Sequence, residues 1–383
     1  MSTGRDLFLV ANSIEELGGV TAWTHQMARV FTEHGHRVHA IGVKQADIRH
    51  GLDLTASYPM TSLYRAHPPR PWRPRGLLRR CNAAAALRER ARAAAERERV
   101  ELLSSLFSGA RPGGMVIVSQ VWAMEWISKA DTAGMPVIGM SHESYDYTRQ
   151  SGRYARVKKF YPAVDRWLAL TQEDADRWTV QEGMNNVGFM PNALAGLPPS
   201  PSPRTEKVVA SVGRLSDQKG IDLLLETWAL VAPHRPEWRL HLHGAGEDEE
   251  ELRRQCTALG LDGSVEWKGR TDDVPGVLRE SSVFVQSSRG EGFPLALMEA
   301  MASAVPCAAF DCAPGVRTIV RDGEDGLLAP PGDTAALADR LLRLTGDAGM
   351  RDAMGDRARQ NVQRFSEAEV LREWERLFAL LEL

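Results

Sequence analysis

Leu7-Phe-Leu-Val-Ala11 is followed by a polar loop closing on Gly18-Gly19, then by the segment Val20 to Thr32, then by Arg37-Val-His-Ala-Ile-Gly-Val43. A short apolar run bounded by polar residues predicts a buried strand, and the longer mixed segment predicts a helix. Strand, glycine-bearing loop, helix and strand, in that order, open a doubly wound parallel sheet, because two parallel strands need a crossover and the helix supplies it. Met115 to Ser119, Val137 to Met140 and Trp167 to Thr171 extend the series. Between them, Leu77 to Leu106 is rich in Ala, Arg and Glu and predicts a long helix.

Pro191 to Pro203 carries PN and PPSPSP with little apolar content and reads as a linker. Beyond it the pattern restarts, with strands at Val208 to Val212, Arg239 to His243, 264–268, 283–287 and 306–310. Helices are expected at Gly220 to Val231, 247–259, 274–280, 294–303 and 333–345. From Ser366 onward Val370, Leu371, Trp374, Leu377, Phe378 and Leu381 recur at helical spacing. The expected organisation is α/β, with two Rossmann-like domains facing a central cleft: 1–192, 193–365, and a terminal helix at 366–383. A length of 383 residues fits two domains.

Composition narrows the class. With 43% hydrophobic and 25% charged residues the chain is an ordinary globular one, not collagen-like, coiled-coil or disordered. Four cysteines without a CxxC pair argue against a disulfide framework or zinc ribbon, and with no apolar run of membrane-spanning length a cytoplasmic location is expected. Leu7 to Ala11 is too short for a signal-peptide core. The net charge of −3 conceals two halves of opposite sign: residues 1–195 hold 25 Lys+Arg against 19 Asp+Glu, residues 196–383 hold 22 against 31.

Chemistry concentrates at the carboxyl ends of the predicted strands. In Ser287-Ser-Arg-Gly-Glu-Gly-Phe-Pro-Leu-Ala-Leu-Met-Glu-Ala-Met-Ala302 a glycine-flanked loop leads into a helix opened by Pro294, whose first free amides form an anion site. Glu291 precedes that helix. Glu299 lies within it between apolar neighbours, where a carboxylate is costly unless it binds something. In Val212-Gly-Arg-Leu-Ser-Asp-Gln-Lys-Gly220, Arg214 and Lys219 stand where a diphosphate would be met by a fork and a point charge. Gly269-Arg270 ends another strand beside a possible base site, and Gly19 lets backbone approach a ligand at a helix start. His142, in Met140-Ser-His-Glu-Ser144, occupies a cleft position. His241 and His243 share a strand face, but no third ligand accompanies them at metal spacing, so they read as structural.

Together, GRLSDQKG, GRTDDV, EGFPLALMEAMA and DGEDGLLAPPGD resemble retaining nucleotide-sugar glycosyltransferases of family 4, with the GT-B fold. Within that family ELGGVTAWTHQMA, SHES and FDCAPG are most similar to enzymes that glucosylate poly(glycerol phosphate) or wall teichoic acid. The resemblance implies a hexosyltransferase that moves glucose or N-acetylglucosamine from a UDP-sugar to an acceptor hydroxyl, with no metal and no other cofactor. It implies that Arg214 and Lys219 hold the diphosphate, Glu299 the ribose, and the Arg270 region the base. Glu291 and the amides after Phe293, at Pro294 and Leu295, would meet sugar and phosphates; Gly19 would allow closure and His142 would bond the sugar. The last helix would cross back to the first domain. Family members often carry Glu where this chain has Thr318, so no role is assigned there. Two other readings are a non-catalytic glycosyltransferase-like subunit and a sugar-nucleotide epimerase.

Residues 65–99 hold 11 Arg against 3 Glu. This basic stretch suggests an anionic acceptor, whether glycopolymer, glycolipid or natural product, or peripheral attachment to the inner face of a membrane. Nucleic acid is not expected, since the Arg residues are not interleaved with aromatics.

Overall fold

The computed structural model describes residues 4–16, 18–46, 57–68 and 83–382. Two sheets organise the chain. In the first, β1 (Asp6–Ala11), β2 (Arg37–Lys44), β3 (Met60–Tyr64), β4 (Met115–Val118), β5 (Val137–Met140), β6 (Arg166–Ala169) and β7 (Val187–Phe189) stand in the order β3-β2-β1-β4-β5-β6-β7. In the second, β8 (Val208–Val212), β9 (Arg239–His243), β10 (Val265–Gly269), β11 (Val283–Gln286), β12 (Cys307–Phe310) and β13 (Gly326–Ala329) stand in the order β10-β9-β8-β11-β12-β13. Every pairing is parallel. These are two Rossmann-like domains. Strand order reverses between β1 and β4 and between β8 and β11, so the loops leaving those four strands diverge and open a crevice at the sheets' carboxyl edges.

The central strands β1, β4, β11 and β12 are buried along their whole length, which is why they read as unbroken apolar runs. β3, β7 and β13 were not anticipated. β3 and β7 are edge strands that bury little, and β13 is hidden inside the loop-like DGEDGLLAPPGD. Thr171, expected in a strand, instead caps the helix Gln172–Glu182, its side chain accepting from the Asp174 amide. That helix and Ala348–Asn361 are further additions. Of the long Arg-rich helix, Ala83–Ser108 is helical, while 69–82 lie outside the described residues.

One apolar core is continuous between the domains. It joins Leu9, Trp23 and Phe31 of the first to Phe293, Leu297 and Met301 of the second by way of Trp374 and Phe378. Trp374 and Phe378 belong to the terminal helix Glu367–Leu381, which lies against the helix Gly19–Glu33. The Trp374 ring is 6.3 Å from Trp23 and 5.8 Å from Phe31. Gln26 donates to Glu367 at 3.0 Å, and His36 bonds Glu375 at 2.6 Å. The Pro-rich stretch is anchored rather than loose. Leu194 pairs with Ser366, its amide donating to Phe365 at 2.7 Å, and Asn192, Ala193 and Leu194 are buried.

Candidate active site

Two loops of the second domain meet at the crevice. The loop after β8 makes a tight turn at Asp217–Lys219 and enters the helix Ile221–Val231 through Gly220. Gly220 has φ +60°, and a Cβ there would lie 2.2 Å from the Ser287 carbonyl oxygen, so both conformation and space demand glycine. The loop after β11 is bound to this turn. The Arg289 amide donates to the Gln218 carbonyl at 2.8 Å, and Gln218 Nε2 donates to the Gly290 carbonyl at 3.0 Å. Lys219 Nζ donates to Glu291 Oε1 at 2.6 Å, and Ser288 Oγ donates to the same oxygen at 2.6 Å. Glu291 is buried, so charge pairing and two short bonds compensate its desolvation. Arg214, on the same loop as Lys219, is exposed and makes no ion pair among the described residues.

Pro294 is extended, with ψ 113°, and forms the N-cap rather than the first turn of the helix Leu295–Ala302. The amides that lack an intrahelical acceptor are therefore those of Leu295, Ala296 and Leu297. Glu299 is largely buried on this helix with no hydrogen bond or ion pair among the described residues, and burial pushes its carboxyl above the usual range. Phe293 is buried edge-on against Phe365, centroids 5.1 Å apart, so its ring serves packing.

The first domain closes directly on this loop. A Cβ at Gly292 would lie 2.0 Å from the His142 carbonyl oxygen, and one at Gly290 would lie 2.6 Å from the Tyr147 ring. Leu295 is 4.0 Å from where a Gly19 Cβ would stand. His142 packs edge-on to Trp23 at 4.9 Å; burial lowers it to about 4, which keeps the imidazole neutral at ordinary pH. The Asn192 side chain beside it opposes that lowering, without a well-formed bond to the buried His142 Nε2 among the described residues, while Asn192 Nδ2 donates to the Phe293 carbonyl at 3.0 Å. His142, Gly19, Lys219, Glu291 and Leu295 thus share one crevice. Arg270 is exposed just beyond β10, on whose last residue, Gly269, the Gly244 amide donates at 2.8 Å.

Glu143, next to His142, carries no signal of its own in the sequence. Burial raises its carboxyl and Glu291 raises it further, while Arg153, 3.5 Å away, and Lys219 oppose. A second carboxyl therefore faces the Lys219–Glu291 pair. Its loop is set by Asp174, which accepts the Tyr145 amide at 2.8 Å and the Thr171 hydroxyl at 2.7 Å. Burial also pushes the nearby Cys312 thiol up to about 12, with Glu291 adding to it, so it is not a nucleophile here. His241 and His243 have centroids 6.3 Å apart, and no group of three metal-type ligands gathers among the described residues.

Residues 197–361 match the family described as Glycosyl transferases group 1. A Haemophilus influenzae protein named as an uncharacterized glycosyltransferase is 32% identical over 236 residues, 61% of this chain and 67% of that protein. The chain belongs to the glycosyltransferases, and its second domain carries the group 1 match. An exopolysaccharide phosphotransferase of Streptomyces coelicolor is 34% identical over 66% of this chain, and a poly(ribitol-phosphate) alpha-N-acetylglucosaminyltransferase of Staphylococcus aureus is 30% identical over 46%. The alignments span only 27% and 36% of those two proteins' own lengths. Among solved structures, S. aureus TarM superposes with a TM-score of 0.79 at 15% identity over 98% of this chain and 99% of its own, a likeness of GT-B fold.

Proposed function

We propose that this glycosyltransferase transfers a hexose, glucose or N-acetylglucosamine, from a UDP-sugar to an acceptor hydroxyl with retention at the anomeric carbon. The acceptor belongs to an anionic glycan such as a polyol-phosphate polymer. The observation that carries the reading is the Lys219–Glu291–Ser288 cluster held against His142 of the opposite domain. In this reading Lys219 and Arg214 receive the charge that grows on the leaving diphosphate, without a metal. Fixed cations in a partly dehydrated crevice favour that charge more than water does. The largely buried Glu299, unpaired among the described residues, accepts the ribose hydroxyls, and the amides of Leu295 to Leu297 face the phosphates. Neutral His142 hydrogen-bonds the sugar. The anomeric C–O bond breaks as the acceptor oxygen bonds to the same carbon, and the acceptor proton passes to the leaving phosphate.

The S. aureus relative supports the acceptor class, since its name assigns it a poly(ribitol-phosphate) substrate. The test is UDP release from UDP-glucose and UDP-N-acetylglucosamine across an acceptor panel, with the product anomer read by NMR. Lys219→Ala is expected to lower kcat by about 100-fold or more with the fold intact, and EDTA to leave turnover unchanged. Inverted product, a requirement for added divalent metal, or unchanged turnover in Lys219→Ala would each refute the mechanism. UDP-sugar interconversion without transfer would indicate an epimerase.

A further inference from the structure

The loops leaving β1, β2, β3 and β4 enclose a cleft of about 800 Å³ on the first domain, away from the Lys219–Glu291 cluster. Its wall is aromatic. Trp122 is 44% exposed, unusual for so large an apolar surface, with the Arg156 guanidinium stacked over it at 3.8 Å. Lys129 lies 5.3 Å from the Trp126 ring and Arg99 5.9 Å from Tyr64. Five Lys and Arg side chains line the cleft against three Glu. Glu96 takes up Arg92 and Lys129, and Glu125 takes up Arg156. Among the described residues Lys44 and Arg99 lack a close carboxylate within the lining. Lys44 bonds His67 Nε2 at 3.1 Å and has Glu16 at 3.8 Å, and Arg99 meets Glu98, outside the lining, at 3.4 Å.

Two lining residues each carry a buried polar atom without a hydrogen-bond partner among the described residues: Asn12, with its acceptor Oδ1, and Arg99, with its donor Nε. A buried polar atom left unpaired is costly, so a small turn of either side chain toward the cleft, where an occupant supplies the missing partner, is favoured. The occupant must offer a donor to Asn12, an anion to Arg99 and Lys44, and a flat apolar face to Trp122. A sugar unit bearing an anionic substituent offers all three; a neutral sugar lacks the second. Asn12 follows β1 directly, seven positions before Gly19, so one polypeptide stretch contributes both to the cleft and to the crevice.

We propose that this cleft is an acceptor subsite that binds an acidic saccharide unit, stacked on Trp122 with its anion on Arg99 and Lys44. As an acceptor subsite it rests on the transferase reading above; as a saccharide site it is tested independently of it.

The probes are methyl glucoside, its 6-phosphate and methyl glucuronide, titrated into the full chain with tryptophan fluorescence as readout. At least one anionic glycoside is expected to bind about tenfold or more tighter than the neutral one, and the tighter of the two anions identifies phosphate or carboxylate as the substituent. Trp122→Ala and Arg99→Gln should each weaken that binding about tenfold, with binding by Trp122→Ala read calorimetrically. UDP affinity and the slow release of UDP from donor without acceptor should stay within about twofold in both, which also verifies folding. Equal affinity for neutral and anionic glycosides, no binding of any of them, or wild-type affinity in both variants would overturn the proposal. Saccharide binding without UDP binding or release would instead refute the transferase reading and leave a binding cleft.

Discussion

Gly292→Ala isolates the contribution of domain closure. Gly292 belongs to the second domain, and the atom its new Cβ would meet is the His142 carbonyl oxygen of the first, 2.0 Å away. An ordinary contact needs more than 3.0 Å, so the two loops must part by over an ångström. Both contacting groups are backbone, and no side chain can swing aside. Overpacking of this kind costs about 1–3 kcal/mol, and opening the crevice relieves it. Closure would then be disfavoured by a factor of roughly 5 to 150. Under the proposed mechanism transfer should fall by a comparable factor, because that mechanism places Lys219 and Glu291 on one side of the crevice and His142 on the other. UDP affinity, which the proposed mechanism assigns to the second domain, should move by no more than about threefold. The assay is steady-state UDP release beside calorimetric UDP binding, with Gly152→Ala as control, since a Cβ there meets nothing within 4 Å. Unchanged kcat/KM would refute the reasoning. Loss of UDP affinity in step with activity would do so too, by showing that only the local loop had been damaged.

Glu299→Gln removes a desolvated charge that no described residue compensates, so stability should hold or rise by up to about 1 kcal/mol while donor KM rises about tenfold. A lowered melting temperature with unaltered KM would contradict this. Trp374→Ala should cost about 3–5 kcal/mol in urea unfolding, because the ring is fully buried between the terminal helix and Trp23 and Phe31. Burial lowers His142 to about 4, below its unfolded value near 6.5, so the unfolded chain binds the extra proton first. Its stabilising contribution is complete above pH 6.5 and shrinks as pH falls toward 4, by up to about 3 kcal/mol. His142→Asn should flatten that part of the urea-unfolding profile between pH 7.5 and 4.5.

The interior of both sheets was legible in the sequence because a strand covered on both faces is apolar at every position, as in Leu7–Ala11 and Val283–Val285. Edge strands give no such signal: β3 and β7 are covered on one face at most, and their residues are mixed accordingly. At the candidate site the nearness of Lys219 and Glu291 was readable, because at each a strand end, a glycine and a charge coincide. Glu143 and Asn192 were not, for a tertiary reason. Whether Glu143 or its neighbour turns toward the crevice depends on the Ser141–Ser144 loop being held by Asp174, some thirty positions away. Asn192 sits in a Pro-rich run that is held by distant partners, Phe293 at Asn192 and the Phe365–Ser366 segment at Leu194. The Arg-rich reading divides similarly. Arg92 is spent on Glu89 and Glu96 along its own helix, and only the packing of β2 and β3 brings Arg99 and Lys44 into a lining where, among the described residues, neither has a close carboxylate.

The polypeptide passes between its domains twice, at Leu194 and again at Ser366, and the two passages are bonded side by side. A single tether would let one domain swivel freely on the other. Two parallel threads fastened together resist both sliding and twisting, and leave rotation about their common line as the soft coordinate. The molecule is therefore built as a door on a pinned hinge. Cutting either thread would change the kind of motion available, so that His142 could still approach Gly292 but would no longer return to the same alignment on every turnover.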